Sequence, residues 1–155
     1  MKFIRANYRW FLSAWIAFVF LQSLFFKFTG SPETEYIFGT LGEWSGLAWF
    51  AQYGGYGVGL AELLASILLI TRWWPWGALL AVGIMTGAIF FHLFTPLGIE
   101  IPNFDGEGNL LDTNDGGLLF IMACITWIAG LVLAVGDWKR ESSQLKRALL
   151  PRTAG

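Results

Sequence analysis

Four long apolar blocks, separated by polar segments, set the pattern of this sequence. The blocks cover residues 10–28, 54–72, 75–97 and 116–136, and most of the charged residues lie outside them. A helix that rises about 1.5 Å per residue needs about 20 mostly apolar residues to cross about 30 Å of hydrocarbon. The pattern therefore predicts an all-α fold in which four transmembrane helices form a bundle within a single membrane domain, 1–155.

The connections between the blocks differ in character. The first carries large apolar residues at helical spacing, which predicts short amphipathic helices along the outer membrane surface. The second is only a few residues long around Arg72, so the second and third helices are predicted to be antiparallel neighbours. The apolar residues of the first connection are Tyr36, Ile37, Phe38, Leu41, Trp44, Leu47, Trp49 and Phe50.

The third connection, 98–115, is acidic and rich in glycine and asparagine. Asp105, Glu107 and Asn109 have the alternating oxygen-ligand spacing that opens a calcium-binding loop. Leu110 stands where such a loop needs glycine, and Gly116 where it needs glutamate. A solvated turn or hairpin is therefore the favoured interpretation over a calcium site, and Asp115 is predicted to cap the fourth helix.

Charge predicts the orientation of the chain. Basic residues remain on the cytoplasmic side during insertion, and nine of the ten lie at the N-terminus, in the short turn or after residue 137. Both termini, including the tail 137–155, are therefore predicted to be cytoplasmic, in the cell's inner membrane. The tail is interpreted either as a short amphipathic helix or as a frayed end. These nine residues are Lys2, Arg5, Arg9, Arg72, Lys139, Arg140, Lys146, Arg147 and Arg152.

Two features of the sequence limit other interpretations. The segment 1–28 resembles a signal peptide in its charge, but no small-residue cleavage site follows it, so it is predicted to remain as a mature helix. Cys124 is the single cysteine, which excludes an intramolecular disulfide and paired-thiol redox chemistry within this sequence.

Ionisable residues within the apolar blocks are candidates for function, because a charge at the bilayer centre costs at least about 2.5 kcal/mol. Depths counted from the predicted outer helix ends place Lys27, Glu62 and His92, with Gln22 and Asp115, at similar levels. These residues are therefore predicted to share one polar site in the outer half of the bundle. The alternative is a buried network that fixes helix register without chemistry.

A functional site of this composition fits proton transfer beside a quinone. His92 is the natural proton donor or acceptor because its unperturbed pKa is about 6.5, and Glu62 would orient it or relay the proton. Quinone carbonyls need donors, and Tyr53 and Phe91 could contact the ring. One histidine cannot supply both axial ligands of a haem, and too few ligands are present for a transition metal, so no metal site is predicted.

From Arg9 to about residue 135 the sequence resembles the DoxX family of small four-helix membrane proteins. The resemblance rests on Arg9 and Lys27 at the two ends of the first helix, on Glu62 in the segment GLAELL, and on His92 in AIFFHLF. It implies a four-helix fold and a link to membrane redox complexes. The chain departs from the family in the residue before its lysine and in its long acidic loop.

Three functions follow as hypotheses. The first is a quinone-associated subunit of a redox complex, which needs partner membrane subunits because the sequence has no nucleotide-binding or metal-cluster motif. The second is a non-catalytic accessory or scaffolding subunit. A transporter or lipid-binding module ranks last, since nothing polar continues into the inner half. The predicted partners are the lipid bilayer and other membrane subunits, and nucleic acid is not among them.

Overall fold

Six helices and two short strands make up the described part of the chain. The computed structural model describes residues 2–150, and side chains from residue 7 onward. Lys2 and Arg5, as side chains, and Arg152 lie outside that description. The elements in chain order are α1 (Lys2–Thr29), α2 (Pro32–Ser45), α3 (Ala48–Ile70), α4 (Trp74–Phe94), β1 (Pro102–Phe104), β2 (Leu110–Asn114), α5 (Leu118–Trp138) and α6 (Gln144–Leu149).

Four of these helices are long and apolar enough to cross a membrane. The candidate spans are Asn7–Thr29, Ala48–Ile70, Trp74–Phe94 and Leu118–Trp138. The prediction of an all-α bundle with four transmembrane helices is therefore confirmed. The chain also folds as a multi-pass membrane protein should, since large apolar side chains such as Phe18, Leu64, Ile67 and Ile128 face outward.

The four long helices form a closed ring in which each packs against two neighbours, in the order α1, α3, α4, α5. Neighbours run antiparallel, since the start of α1 meets the end of α5 where Tyr8 lies against Gly136. The interior is mainly apolar, with Ile16, Phe20 and Leu133 fully buried. We call the end with the α3–α4 turn and α6 the basic end, and the end with α2 and the β-hairpin the acidic end.

At the acidic end, the predicted helical connection is a single helix of 14 residues, α2. Ser31 caps it by accepting a hydrogen bond from the Thr34 N–H, and Gly46 ends it at φ 70°. Only two residues separate α2 from α3, so α3 begins six residues earlier than the predicted residue 54. Gly42 permits close packing of the two helices, because a Cβ there would lie 2.5 Å from the Ala51 Cβ.

The acidic connection forms the predicted hairpin. Its strands pair antiparallel, with Pro102 opposite Asn114 and Phe104 opposite Leu110. Asp115 accepts hydrogen bonds from the backbone N–H groups of Ile101 at 2.8 Å, Gly117 at 3.0 Å and Leu119 at 3.0 Å. One carboxylate therefore caps α5, as predicted, and also fixes the start of the hairpin to it.

At the basic end, the described part of the tail folds back as the short helix α6. The buried Asp137 carboxylate accepts hydrogen bonds from the Ser143 hydroxyl at 2.8 Å and the Leu145 N–H at 3.1 Å. Ser143 also caps α6 by accepting from the Lys146 N–H. Gln144 donates to the Arg72 carbonyl at 2.7 Å, which ties α6 to the α3–α4 turn.

The hairpin tip gives a prediction about pH. Hydrogen bonds from Asn109, through its side chain and then its backbone, lower the pKa of Asp105 below its usual value, and the Glu107 N–H adds to the effect. A lowered folded pKa means that this stabilisation is present above the unfolded value of about 3.9 and is lost as pH falls through the folded value. We expect the Asn109 amide resonance to titrate with a midpoint below about 3.9, measured by NMR in micelles.

The control for this titration is Asp105→Asn, which removes the titrating group while keeping the shape of the side chain. The acid-dependent shift of the Asn109 amide should then disappear. A midpoint at or above that of an ordinary aspartate would contradict the role assigned to these hydrogen bonds.

Candidate functional site

A buried ion pair between α1 and α3 is the centre of the candidate site. The Lys27 Nζ lies 3.0 Å from both the Oε1 and the Oε2 of Glu62, and it also donates to the Ser23 hydroxyl. The side chains of Lys27 and Glu62 are only 13% and 3% exposed. It is the single ion pair among residues 7–150, which are those with described side chains.

Local sequence explains how the pair forms. Ser23 and Lys27 are four residues apart and so share one face of α1. Glu62 lies on the buried face of α3 with Gly59 and Ser66. A Cβ at Gly59 would lie 2.8 Å from the Phe28 ring and 3.6 Å from the Lys27 Cδ, so glycine lets the end of α1 approach α3.

A cavity of about 290 Å³ adjoins the pair, between the end of α1, the helix α2 and the first half of α3. Lys27 is part of its wall, so one side chain connects the cavity to Glu62. The wall combines polar and aromatic groups, and its principal residues are Lys27, Thr34, Glu35, Phe38, Gln52 and Tyr56. An acceptor oxygen in this cavity could approach an ammonium group that a carboxylate holds in place.

His92 does not belong to this site, so the prediction that it shares a polar site with Lys27 and Glu62 is corrected here. Its Nδ1 donates to the Gly98 carbonyl at 2.6 Å, and its ring meets the Phe120 ring edge-on at 5.7 Å between centroids. Within the described side chains it forms no hydrogen bond or ion pair with Lys27 or Glu62. His92 instead joins the end of α4 to the start of the hairpin and to α5.

The predicted depths of Glu62 and His92 were each counted from a separately estimated helix end, and this made them look equal. Helices α3 and α4 share a short turn, and Glu62 lies eight residues before Ile70 whereas His92 lies eighteen residues after Trp74. At about 1.5 Å per residue these positions are about 12 Å and about 27 Å from the turn. Phe91 accordingly contacts Phe50, at 6.1 Å between ring centroids, and Phe50 is more than three turns from Glu62. Depth counted from separately estimated helix ends concealed this difference.

Four other predicted site residues also lie apart from the ion pair. Gln22 is exposed and makes no hydrogen bond to the described part of the chain. Tyr53 is 56% exposed and does not line the cavity. Phe91 packs against the buried cluster of Leu41, Leu97 and Ile101. Asp115 is the cap of α5 and bonds to neither Lys27 nor Glu62. Of the seven residues predicted at the site, the structure brings together Lys27 and Glu62.

Sequence reasoning missed Ser23 and the cavity residues Thr34, Glu35, Gln52 and Tyr56. Ser23 could have been predicted, because it lies four residues before Lys27 and so shares a face of α1 with it. Thr34 and Glu35 come from α2, and their approach to α3 depends on the tight α2–α3 corner, which the sequence pattern did not predict.

The described side chains contain no group of three or more His, Cys, Asp or Glu residues close enough to hold a metal ion. In the hairpin the Asp105 carboxylate accepts hydrogen bonds from the backbone N–H groups of Glu107 and Asn109 and from the Asn109 side-chain amide. These bonds close a turn of the hairpin. Cys124 is half-buried in α5.

Comparison of the chain with models of protein families, with curated proteins and with solved structures gave no match.

Proposed function

We propose that this chain is a quinone-associated subunit of a membrane redox complex, as its resemblance to the DoxX family implies, and that the cavity at Lys27 receives the quinone head group. The observation that supports this most directly is the double role of Lys27. Its ammonium group forms the buried ion pair with Glu62, and its side chain lines a cavity of about 290 Å³. A site built in this way offers a fixed donor to an oxygen of a ligand that is otherwise apolar.

The cavity suits a small aromatic head group in size and lining. Its volume is close to the lower end of the range of about 300–1,000 Å³ that is typical of small-molecule sites. Phe38 and Tyr56 supply aromatic surface, while Lys27 supplies the hydrogen-bond donor that a carbonyl oxygen needs. The Ser23 hydroxyl can both donate and accept, so it can rearrange when Lys27 donates to another oxygen.

Quinone supplies two-electron redox chemistry, and its reduction consumes two electrons and two protons. In this proposal the electrons come from a redox group on a partner subunit, while Lys27 and Glu62 hold and move protons at the cavity. The protein lies in the inner membrane with both termini cytoplasmic. Arg72, Lys139 and Arg140 at the basic end support this orientation through the positive-inside rule.

Filling the cavity tests the proposal without disturbing the ion pair. Gln52→Trp places a large ring at the cavity wall, whereas Tyr53→Trp changes the adjacent, exposed residue that does not line it. Binding of a short-chain benzoquinone with a decyl tail would be titrated against each purified protein in detergent. We expect Gln52→Trp to weaken binding about tenfold or more, which corresponds to about 1.4 kcal/mol, and Tyr53→Trp to leave it unchanged.

Equal binding by both variants and the wild type would overturn the proposal that this cavity holds the head group. The thermal midpoint of each variant in the same detergent reports whether the bundle remains folded. Organic extraction of protein from native membranes provides a second readout, because quinone should copurify with the wild type and with Tyr53→Trp in preference to Gln52→Trp.

An accessory or scaffolding subunit is a second candidate, and one observation favours it. The corner between α2 and α3 exposes Trp44, Leu47 and Trp49 together at the acidic end. Large exposed aromatics of this kind are typical of protein interfaces as well as of lipid contact. This function predicts a stoichiometric partner after gentle extraction that is lost in Trp44→Ala/Trp49→Ala, with no effect of Gln52→Trp.

A further inference from the structure

The basic end of the bundle has a second, larger cleft, which the proposed quinone site does not involve. It measures about 520 Å³ and lies between the α3–α4 turn and α6. Its wall is formed by Arg72, Trp73, Trp76, Gln144, Arg147 and Ala148. Two arginines and two tryptophans thus contribute to one mainly apolar concave surface at the level where the helices end.

The cleft has a defined shape because hydrogen bonds hold α6 against the rest of the bundle. The Gln144 amide donates to the Arg72 carbonyl at 2.7 Å, and the buried Asp137 holds Ser143 and Leu145 at the start of α6. Leu145 is itself buried. These contacts keep Arg147 on α6 facing the same cleft as Arg72 on the turn.

The charge of the cleft is not neutralised within the described side chains. Arg147 donates through Nη2 to the Ser142 carbonyl at 2.7 Å, and the Arg72 guanidinium lies over the Trp73 ring at 5.2 Å. Neither forms an ion pair with a carboxylate, and each guanidinium has five N–H donors. Donors therefore remain for an anionic ligand.

A second pair of arginines adds to the positive potential. Arg9 and Arg140 each lie 5.1 Å from the centroid of the buried Trp74 ring. Their guanidinium groups do not pair with a carboxylate among the described side chains. Among the described side chains, Glu141 is the one acidic residue exposed at this end, since Asp137 is buried and its carboxylate binds Ser143 and Leu145.

From this arrangement we propose that the cleft binds the head group of an anionic phospholipid. Phosphate matches the fork of N–H donors that arginine presents, and bonds from arginine to phosphate are among the strong hydrogen bonds of proteins. Trp73 and Trp76 provide surface for the glycerol and upper acyl region, since indole rings favour head-group depth. Ile70, the last residue of α3, is exposed next to the turn and offers apolar surface to an acyl chain.

The apolar wall selects a lipid over a soluble phosphate. Inorganic phosphate uses the guanidinium groups only, whereas a phospholipid also buries hydrocarbon against the two indole rings, and each buried CH₂ adds to affinity. The lipid is thereby bound as a defined molecule rather than as part of a diffuse ionic layer around the basic end.

The experiment measures lipid binding to the full chain in a neutral detergent by native mass spectrometry. Phosphatidylglycerol and phosphatidylcholine with the same acyl chains are the probes. The variant Arg72→Gln/Arg147→Gln removes both guanidinium groups of the cleft. The matched control Lys139→Gln/Lys146→Gln removes two charges from the same end at positions that do not line it.

We expect the wild type and the lysine control to bind phosphatidylglycerol at least about tenfold more tightly than phosphatidylcholine. The arginine variant should lose that preference, because charge-assisted hydrogen bonds contribute enough for about tenfold in affinity each. Equal losses in the two double variants would show diffuse attraction and overturn the proposal. A wild type without preference between the lipids would overturn it as well.

Three further arms complete the test. Inorganic phosphate at equal concentration should not displace the lipid, and full displacement would assign the cleft to soluble phosphate instead. The thermal midpoint should rise with phosphatidylglycerol for the wild type, as for any ligand that binds the folded state. Arg72→Lys/Arg147→Lys, which preserves charge without the guanidinium fork, should show intermediate affinity, and wild-type affinity for this variant would contradict recognition by the fork.

Discussion

Lys27→Met is expected to lower the free energy of unfolding by about 3–5 kcal/mol, since it leaves the Glu62 carboxylate buried without its partner. Glu62→Leu should be less damaging. The Lys27 side chain is long and near the end of α1, so its ammonium group can extend towards the membrane surface when the carboxylate is removed. The double variant Lys27→Met/Glu62→Leu should recover most of the loss, because apolar replacement of both members of a buried pair is often neutral or stabilising.

Unfolding of the four proteins by sodium dodecyl sulfate, starting from mild detergent micelles, measures this cycle. The expected sign is favourable coupling between the two positions, with the double variant more stable than Lys27→Met. Additive losses, or a loss below about 1 kcal/mol for Lys27→Met, would show that the two side chains do not depend on each other in the membrane.

This cycle also separates the two roles that the sequence left open for the pair. A pair that only fixes helix register becomes dispensable once both members are apolar. The double variant should then retain both the stability and the quinone binding of the wild type. If the pair serves the cavity, the double variant should fold well and still lose quinone binding, since Lys27 is the donor in the cavity wall. In that case the double variant keeps its stability but not its quinone binding.

The parts of the fold that the sequence predicted depend on short-range physics. Four apolar blocks of membrane-spanning length required four helices, and the acidic, glycine-rich segment 98–115 favoured a hairpin. Asp115 caps α5 because a carboxylate at the start of a helix meets unpaired N–H groups. Each of these inferences needs only the residues of one segment.

The errors concern relations between segments. Whether His92 lies beside Glu62 depends on how α3 and α4 are positioned relative to each other along the bundle axis. The helix boundaries estimated from hydropathy did not determine this. The early start of α3 at Ala48 follows from the tight α2–α3 corner, where Gly42 meets Ala51. Rotation about a helix axis is likewise a property of packing, which is why Gln22 is exposed one residue before Ser23, the partner of Lys27.

Gly77→Ala is expected to destabilise the bundle by about 1–3 kcal/mol, because the contact between α3 and α4 has no room for a methyl group. A Cβ at Gly77 would lie 2.8 Å from the Leu69 nitrogen and 2.9 Å from the Ala65 carbonyl oxygen, both in the α3 backbone. Backbone atoms cannot turn away as the tip of a flexible side chain can, so the two helices must separate near their shared turn. Small residues have this role in membrane helix packing because they let backbones approach closely.

Gly83→Ala provides the matched control, since it is the same substitution in the same helix at a position where the new Cβ would meet no atom of another helix within 4 Å. It should leave stability unchanged or raise it by up to about 1 kcal/mol, as alanine favours helix over glycine. Gly77→Ala should therefore lower the unfolding midpoint in detergent, whereas Gly83→Ala should not lower it. Equal midpoints would show that α3 and α4 can adjust at this contact, and the small-residue interface would then not determine how closely these helices pack.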